Sequence, residues 1–110
     1  MSDSIERSRG DLRSNFCVDN LKRVYREYRI KISTDNQQSA ALFLCSVIAI
    51  DLANWLEDQS VTVDEANDIK NMILPAFDGL LESIENTANK NELIDRMNEL
   101  VRAYLKIRPI

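Results

Sequence analysis

A row of cations near the start of the chain is the first feature that could do chemistry. The basic strip consists of Lys22, Arg23, Arg26 and Arg29, with tyrosines beside it. Guanidinium groups bind carboxylates and phosphates in a forked geometry. We therefore consider three interpretations: a solvated helix face, a contact with an acidic protein surface, and a contact with nucleic acid. The acidic surface could be the middle segment of this same protein.

A cluster of carboxylates in the middle of the chain raises the question of a calcium site. The cluster consists of Glu57, Asp58, Asp64, Glu65 and Asp68. An EF-hand loop that began at Asp58 would place Val63 at the position of the obligatory glycine and Ile69 at that of the bidentate glutamate. The template fails at both positions. We expect these carboxylates to face solvent and to cap a helix, and we predict no metal site.

Other classes of active site are excluded by what the sequence lacks. The chain contains no histidine and only two glycines, so histidine-dependent triads, the usual zinc and di-iron sites and glycine-rich phosphate loops are all absent. Asp51 is the one carboxylate inside an apolar stretch. We expect it either to reach solvent or to pair with a cation, within the monomer or across an interface. No cofactor and no enzymatic activity are predicted.

The two cysteines and the N-terminal segment bear on localisation. Cys17 and Cys45 lie among apolar neighbours without a CxxC motif, which is typical of free buried thiols. The first 14 residues are polar and do not resemble a secretory signal. Residues 39–56 are the most apolar stretch, but Asp51 and several polar residues interrupt it, which favours a buried helix over a membrane span. We expect a cytoplasmic protein without membrane contact.

Size and charge distribution indicate one domain with complementary parts. The chain has 110 residues, two prolines, two glycines and a formal net charge of −4, a composition typical of a single all-α domain. Lys and Arg outnumber Asp and Glu by eight to five over residues 1–32, whereas Asp and Glu outnumber them by ten to two over residues 33–90. This asymmetry favours contacts between oppositely charged elements or subunits.

Apolar periodicity predicts four helices in a single bundle. They cover about residues 11–32, 36–57, 63–86 and 90–107, after a flexible segment over residues 1–10. Capping-box patterns mark three of the starts: Thr34 with Gln37, Thr62 with Glu65, and Asn89 with Glu92. The second helix is predicted to be central and buried, and Pro75 is predicted to kink or split the third.

The second predicted helix has a further face that is half apolar. It carries Phe43, Val47 and Ile50 next to Asn54, with Trp55 near the helix end. An apolar face left exposed usually marks an interface, so these five residues are the predicted interface of a homodimer. The sequence thus predicts a non-enzymatic protein-protein interaction module, a small helical regulator, inhibitor or structural subunit. The alternative is a nucleic-acid-associated helical subunit or transcription regulator that uses the basic strip.

Overall fold

The computed structural model describes residues 2–31, 38–58, 61–86 and 88–107, and over these residues the protein is all-α. The elements are α1 (Ser2–Ser14), α2 (Val18–Lys31), α3 (Ser39–Asp58), α4 (Val63–Glu85) and α5 (Lys90–Ile107). No strand occurs within these ranges, which confirms the predicted fold class. The prediction of four helices is wrong, because the described residues form five.

The difference arises at the start of the chain, where one predicted helix is two. The chain leaves helical geometry at residues 15–17. There the side-chain amide of Asn20 donates hydrogen bonds to the carbonyl oxygens of Asn15 (2.8 Å) and Asp11 (3.3 Å). The bond to Asn15 satisfies a carbonyl group just past the end of α1, whereas the Asp11 carbonyl also accepts a helical hydrogen bond from the Asn15 N–H (2.8 Å). The first helix also begins at Ser2, within the segment that we expected to be flexible.

Two of the three predicted helix starts carry the N-cap hydrogen bond of the capping-box pattern. The backbone N–H of Glu65 donates to the Thr62 hydroxyl oxygen (3.1 Å), and that of Glu92 donates to the side-chain oxygen of Asn89 (2.9 Å). These bonds explain why α4 and α5 start where the sequence predicted. The third pair, Thr34 and Gln37, lies outside the described residues, and the following helix begins at Ser39.

Four of the helices form two hairpins, α2 with α3 and α4 with α5. Contacts of α1 and α3 hold the two hairpins together. Helix α2 packs mainly against α3, and α4 packs mainly against α5. Helix α1 contacts both α2 and α4, while α3 contacts α2, α4 and α5. At the start of α3, the Gln38 amide donates to the carbonyl oxygen of Ile84 at the end of α4 (2.9 Å). The core between them receives a large buried side chain from every helix: Leu12, Tyr28, Leu52, Phe77 and Leu100.

Helix α3 carries the most apolar sequence of the five. Its inward side is buried at eight positions: Ala41, Leu42, Cys45, Ser46, Ile48, Ala49, Leu52 and Ala53. Over Ser39–Glu57 its mean hydropathy is 1.7, and among the described helices it is the one long and apolar enough to cross a membrane by these criteria. Of that window, 44% is buried inside the protein. Length and composition alone do not distinguish a span from a core helix.

Helix α4 contains Pro75 and is nevertheless one continuous element from Val63 to Glu85. The helix is therefore not split at this proline. A ring at this position removes one backbone hydrogen bond and crowds the preceding turn, so the predicted kink stays a prediction. Gly79 follows one turn later, and a Cβ added there would lie 3.6 Å from the Arg96 side chain of α5.

Candidate interaction surface

The outer side of α3 presents a row of residues that the other described helices leave largely uncovered. We call this row the α3 seam: Ala40, Phe43, Val47, Ile50, Asn54 and Glu57. Phe43 is 59% exposed and Val47 is 40% exposed, whereas Ile50 is half-buried and Asn54 is exposed. Because the opposite side of α3 is in the core, the seam is the face left over for a further contact.

Helix α2 borders the seam on one side and forms a groove with it. The groove has a volume of about 470 Å³ and is lined by Tyr25, Arg29, Phe43, Ser46 and Val47. The Arg29 guanidinium donates to the Tyr25 hydroxyl oxygen (2.9 Å) and lies 5.6 Å from the centre of that ring. An oriented cation therefore adjoins the exposed apolar side chains of α3.

The four cations of the basic strip are not equivalent in the structure. Lys22 forms an ion pair with Glu57 of α3 (2.8 Å), and Arg23 forms one with Asp11 of α1 (2.7 Å). Arg26 and Arg29 are exposed, and neither is in an ion pair with any described residue. Lys22 and Arg23 thus position neighbouring helices, whereas Arg26 and Arg29 face outward, and Arg29 does so at the groove.

Trp55 lies apart from the other predicted interface residues. It is half-buried and lines a second groove with Ile69 and Met72 of α4 and Ile107 of α5. It also packs against the main core. The structure therefore brings Phe43, Val47, Ile50 and Asn54 onto one face and places Trp55 on another.

Asp51 contacts α5. The hydroxyl of Tyr104 donates a hydrogen bond to Asp51 Oδ2, and both side chains are half-buried. A hydrogen bond to a partly buried carboxylate offsets part of its desolvation cost. This contact explains how a carboxylate is accommodated in the most apolar stretch of the chain, and it links α3 to α5.

A cluster of charges between α1 and α4 did not follow from the sequence patterns. The Arg9 guanidinium donates to Asp78 (Nε to Oδ1, 2.9 Å), to Glu85 (Nη1 to Oε1, 3.1 Å) and to Glu82 (Nη2 to Oε2, 3.3 Å). Arg13, one turn further on, also pairs with Asp78 (3.2 Å). The signal in the sequence is the acidic row at positions 78, 82 and 85, whose spacing places it on one helix face.

The charges in this cluster shift each other's ionisation. The hydrogen bond to Asp78 raises the pKa of Arg9 further above its usual value, although burial opposes this shift. Burial would raise the pKa of Asp78, but the hydrogen bonds from Arg9 and Arg13 outweigh it and hold that pKa below its usual value. Both residues are therefore charged at neutral pH, as a structural ion cluster requires.

The remaining reactive groups form no further site among the described residues. Both cysteines are free thiols, and burial strongly raises the pKa of the Cys45 thiol, which keeps it protonated and unreactive. In the part of the chain that the structure describes, no three metal-ligating side chains come together. The α3 seam with its groove is therefore the best candidate for a functional surface.

Comparison with known proteins gives no relative: no family model matches the chain, and no curated protein or solved structure is significantly similar to it. A function for this chain therefore has to be inferred from the chemistry and exposure of the surfaces described above.

Proposed function

We propose that this protein is a non-enzymatic protein-protein interaction module: a small cytoplasmic helical regulator, inhibitor or structural subunit that acts as a homodimer. The single observation that carries the proposal is the exposure of Phe43 and Val47 in the middle of a row of helix positions. Large aromatic side chains are costly to leave in water and are common anchors of interfaces.

Burial of these two side chains would supply much of the free energy of association. Full burial of a Phe or Val side chain contributes about 1.5–3 kcal/mol. A symmetric dimer would bury each of them twice, once from each copy. Because Ile50 is already half-buried beside them, a partner would extend an existing apolar contact.

We also propose that α3 does not enter a membrane. The burial of its inward side in the core of the protein supports this.

The proposal is tested with the solution mass of the protein, measured by size-exclusion chromatography with light scattering over a dilution series. We expect the wild type to have the mass of a dimer and Phe43→Asp to have that of a monomer, since a charge in the seam would have to be desolvated on pairing. Val63→Asp is the matched control. Val63 is 78% exposed, lies in the first turn of α4 and is far along the chain from Phe43.

A monomeric wild type at all concentrations would overturn the homodimer. Phe43→Asp with the mass of a dimer would also overturn it, because the exposed seam would then have no part in association. Circular dichroism of both variants shows whether each is still helical. Because Phe43 and Val63 are both exposed, we expect both variants to stay folded.

The alternative function, association with nucleic acid through the basic strip, has weaker support. Lys22 and Arg23 are committed to ion pairs within the chain, which leaves Arg26 and Arg29 as the outward-facing cations of the strip. Two cations release few counterions and give little affinity for a phosphate backbone. The apolar component of the groove also favours a protein as the partner.

A further inference from the structure

On the basis of the proposed homodimer, we infer that the two copies pair α3 against α3 in parallel and in register. In this arrangement each Asn54 lies opposite its equivalent in the second copy, and this residue sets the direction of pairing. Three features of the α3 seam carry the inference: its spacing, its single amide side chain, Asn54, and the charges that border it.

The spacing of the seam is that of a coiled coil. Successive residues of the row alternate between steps of three and four, from position 40 to position 57. In heptad terms Ala40, Val47 and Asn54 are a positions, and Phe43, Ile50 and Glu57 are d positions. Such a row packs against a second helix of the same spacing.

Asn54 discriminates between the two directions of pairing. In a parallel pair, a positions face a positions, so the Asn54 amide meets an identical amide that can both donate and accept a hydrogen bond. In an antiparallel pair, a positions face d positions, and Asn54 would lie against the Phe43 ring of the second copy. A buried amide against an apolar ring has no hydrogen-bond partner, which is unfavourable.

The charges beside the seam favour the same direction. Helix α2 borders the seam on one side, where Arg29 lines the groove, and Arg26 on the same helix is exposed. An antiparallel two-fold axis would place both copies of α2 on one side of the dimer, with their cations close together. A parallel axis places them on opposite sides. Glu57 would face its equivalent at the end of a parallel seam, but its ion pair with Lys22 offsets this repulsion.

The test is a disulfide across the interface, formed by Asn54→Cys. The variant is made in a Cys17→Ser background, so that the new thiol is the accessible one. Cys17 is only half-buried and is therefore replaced, whereas Cys45 is buried and is kept. In the parallel pair the two new thiols face each other within disulfide reach. In the antiparallel pair Asn54 is offset from its equivalent by the 11 positions that separate it from Phe43, about 16 Å at 1.5 Å per residue. A disulfide requires Cα atoms within about 7 Å.

We expect mild oxidation to convert most of the Asn54→Cys protein into a covalent dimer on a non-reducing gel. The control is Asn67→Cys in the same background, which places a thiol at an exposed asparagine of α4 outside the seam. This control should remain monomeric on the gel, and equal cross-linking of both variants would overturn the inference. So would a covalent dimer that forms only when Phe43→Cys and Asn54→Cys proteins are mixed, since that result identifies an antiparallel pair.

Light scattering and cross-linking together distinguish an error in the parallel register from an error in the homodimer itself. If light scattering gives a dimer and Asn54→Cys does not cross-link, the homodimer stands and the parallel register is wrong. If light scattering gives a monomer, the homodimer and its register are both wrong.

Discussion

Arg9 holds three carboxylates of α4 around one guanidinium, and its side chain is only 12% exposed. A charge in such a position is costly unless its hydrogen-bonding groups are used. Here three of its nitrogen atoms donate to Asp78, Glu82 or Glu85. The cluster therefore fixes the position of α1 on α4 in a way that apolar packing alone would not.

Asp78 is the member of this cluster that makes stability depend on pH. Its pKa is held below the usual value, so the folded protein keeps the carboxylate charged at pH values at which the unfolded chain binds a proton. The stabilisation is complete above the unfolded pKa, about 3.9, and is lost as the pH falls through the lower pKa of the folded state. Asp78→Asn should therefore cost about 1–3 kcal/mol at pH 7.

This prediction is measured by urea denaturation of the wild type and Asp78→Asn at several pH values between 7 and 2. The difference in free energy of unfolding should shrink as the pH falls below about 4, because the unfolded wild-type chain then binds a proton at Asp78 that the folded protein binds only at lower pH. Asp95→Asn, at an exposed position of α5, serves as the control and should change stability little at any pH. A difference between wild type and Asp78→Asn that is constant with pH would contradict the assigned role.

At the scale of elements, α1 is an integral part of the bundle. Its apolar anchor is Leu12, which is 1% exposed and belongs to the same core cluster as Phe77 and Leu100. The helix contacts both α2 and α4, and the Arg23–Asp11 ion pair and the Asn20 hydrogen bonds fix its angle to α2. Because α1 contacts one helix of each hairpin, it contributes together with α3 to holding the hairpins together.

Leu12→Ala should therefore destabilise the whole protein by about 2–5 kcal/mol, since it removes buried methyl groups and leaves a cavity. Leu105→Ala is the matched control, because Leu105 is 40% exposed on α5 and should lose much less. Urea unfolding followed by circular dichroism measures both. If the two variants lost equal stability, or Leu12→Ala lost none, α1 would be a peripheral segment and not part of the core.

The sequence predicted some of these elements well, for physical reasons that are visible in the structure. Helices α4 and α5 begin at local N-cap hydrogen bonds, so short-range interactions determine their starts. The break between α1 and α2 depends instead on Asn20, whose side chain reaches back to two carbonyl groups. No Gly or Pro marks this break, and apolar spacing continues across it, so periodicity alone predicted one helix.

The sequence predicted which residues of the candidate surface share a face, but not whether that face is exposed. Phe43, Val47 and Asn54 share a face because of their spacing, which can be read from the order of residues alone. Whether that face is covered depends on which side of α3 the other four described helices occupy, and this is a property of the tertiary fold. The partners of Arg9 and the separate position of Trp55 depend on the same long-range packing, so neither followed from local patterns.

For the molecule as a whole, the proposed dimer links stability to concentration. A folded dimer in equilibrium with unfolded monomers gains stability by mass action as the protein concentration rises. The melting temperature of the wild type should therefore increase over a hundred-fold concentration range, whereas that of Phe43→Asp should stay constant. Differential scanning calorimetry measures both, with Val63→Asp as the variant that should keep the wild-type dependence. A melting temperature of the wild type that does not change with concentration would contradict the proposed dimer, because copies that pair only when folded must stabilise the fold by mass action.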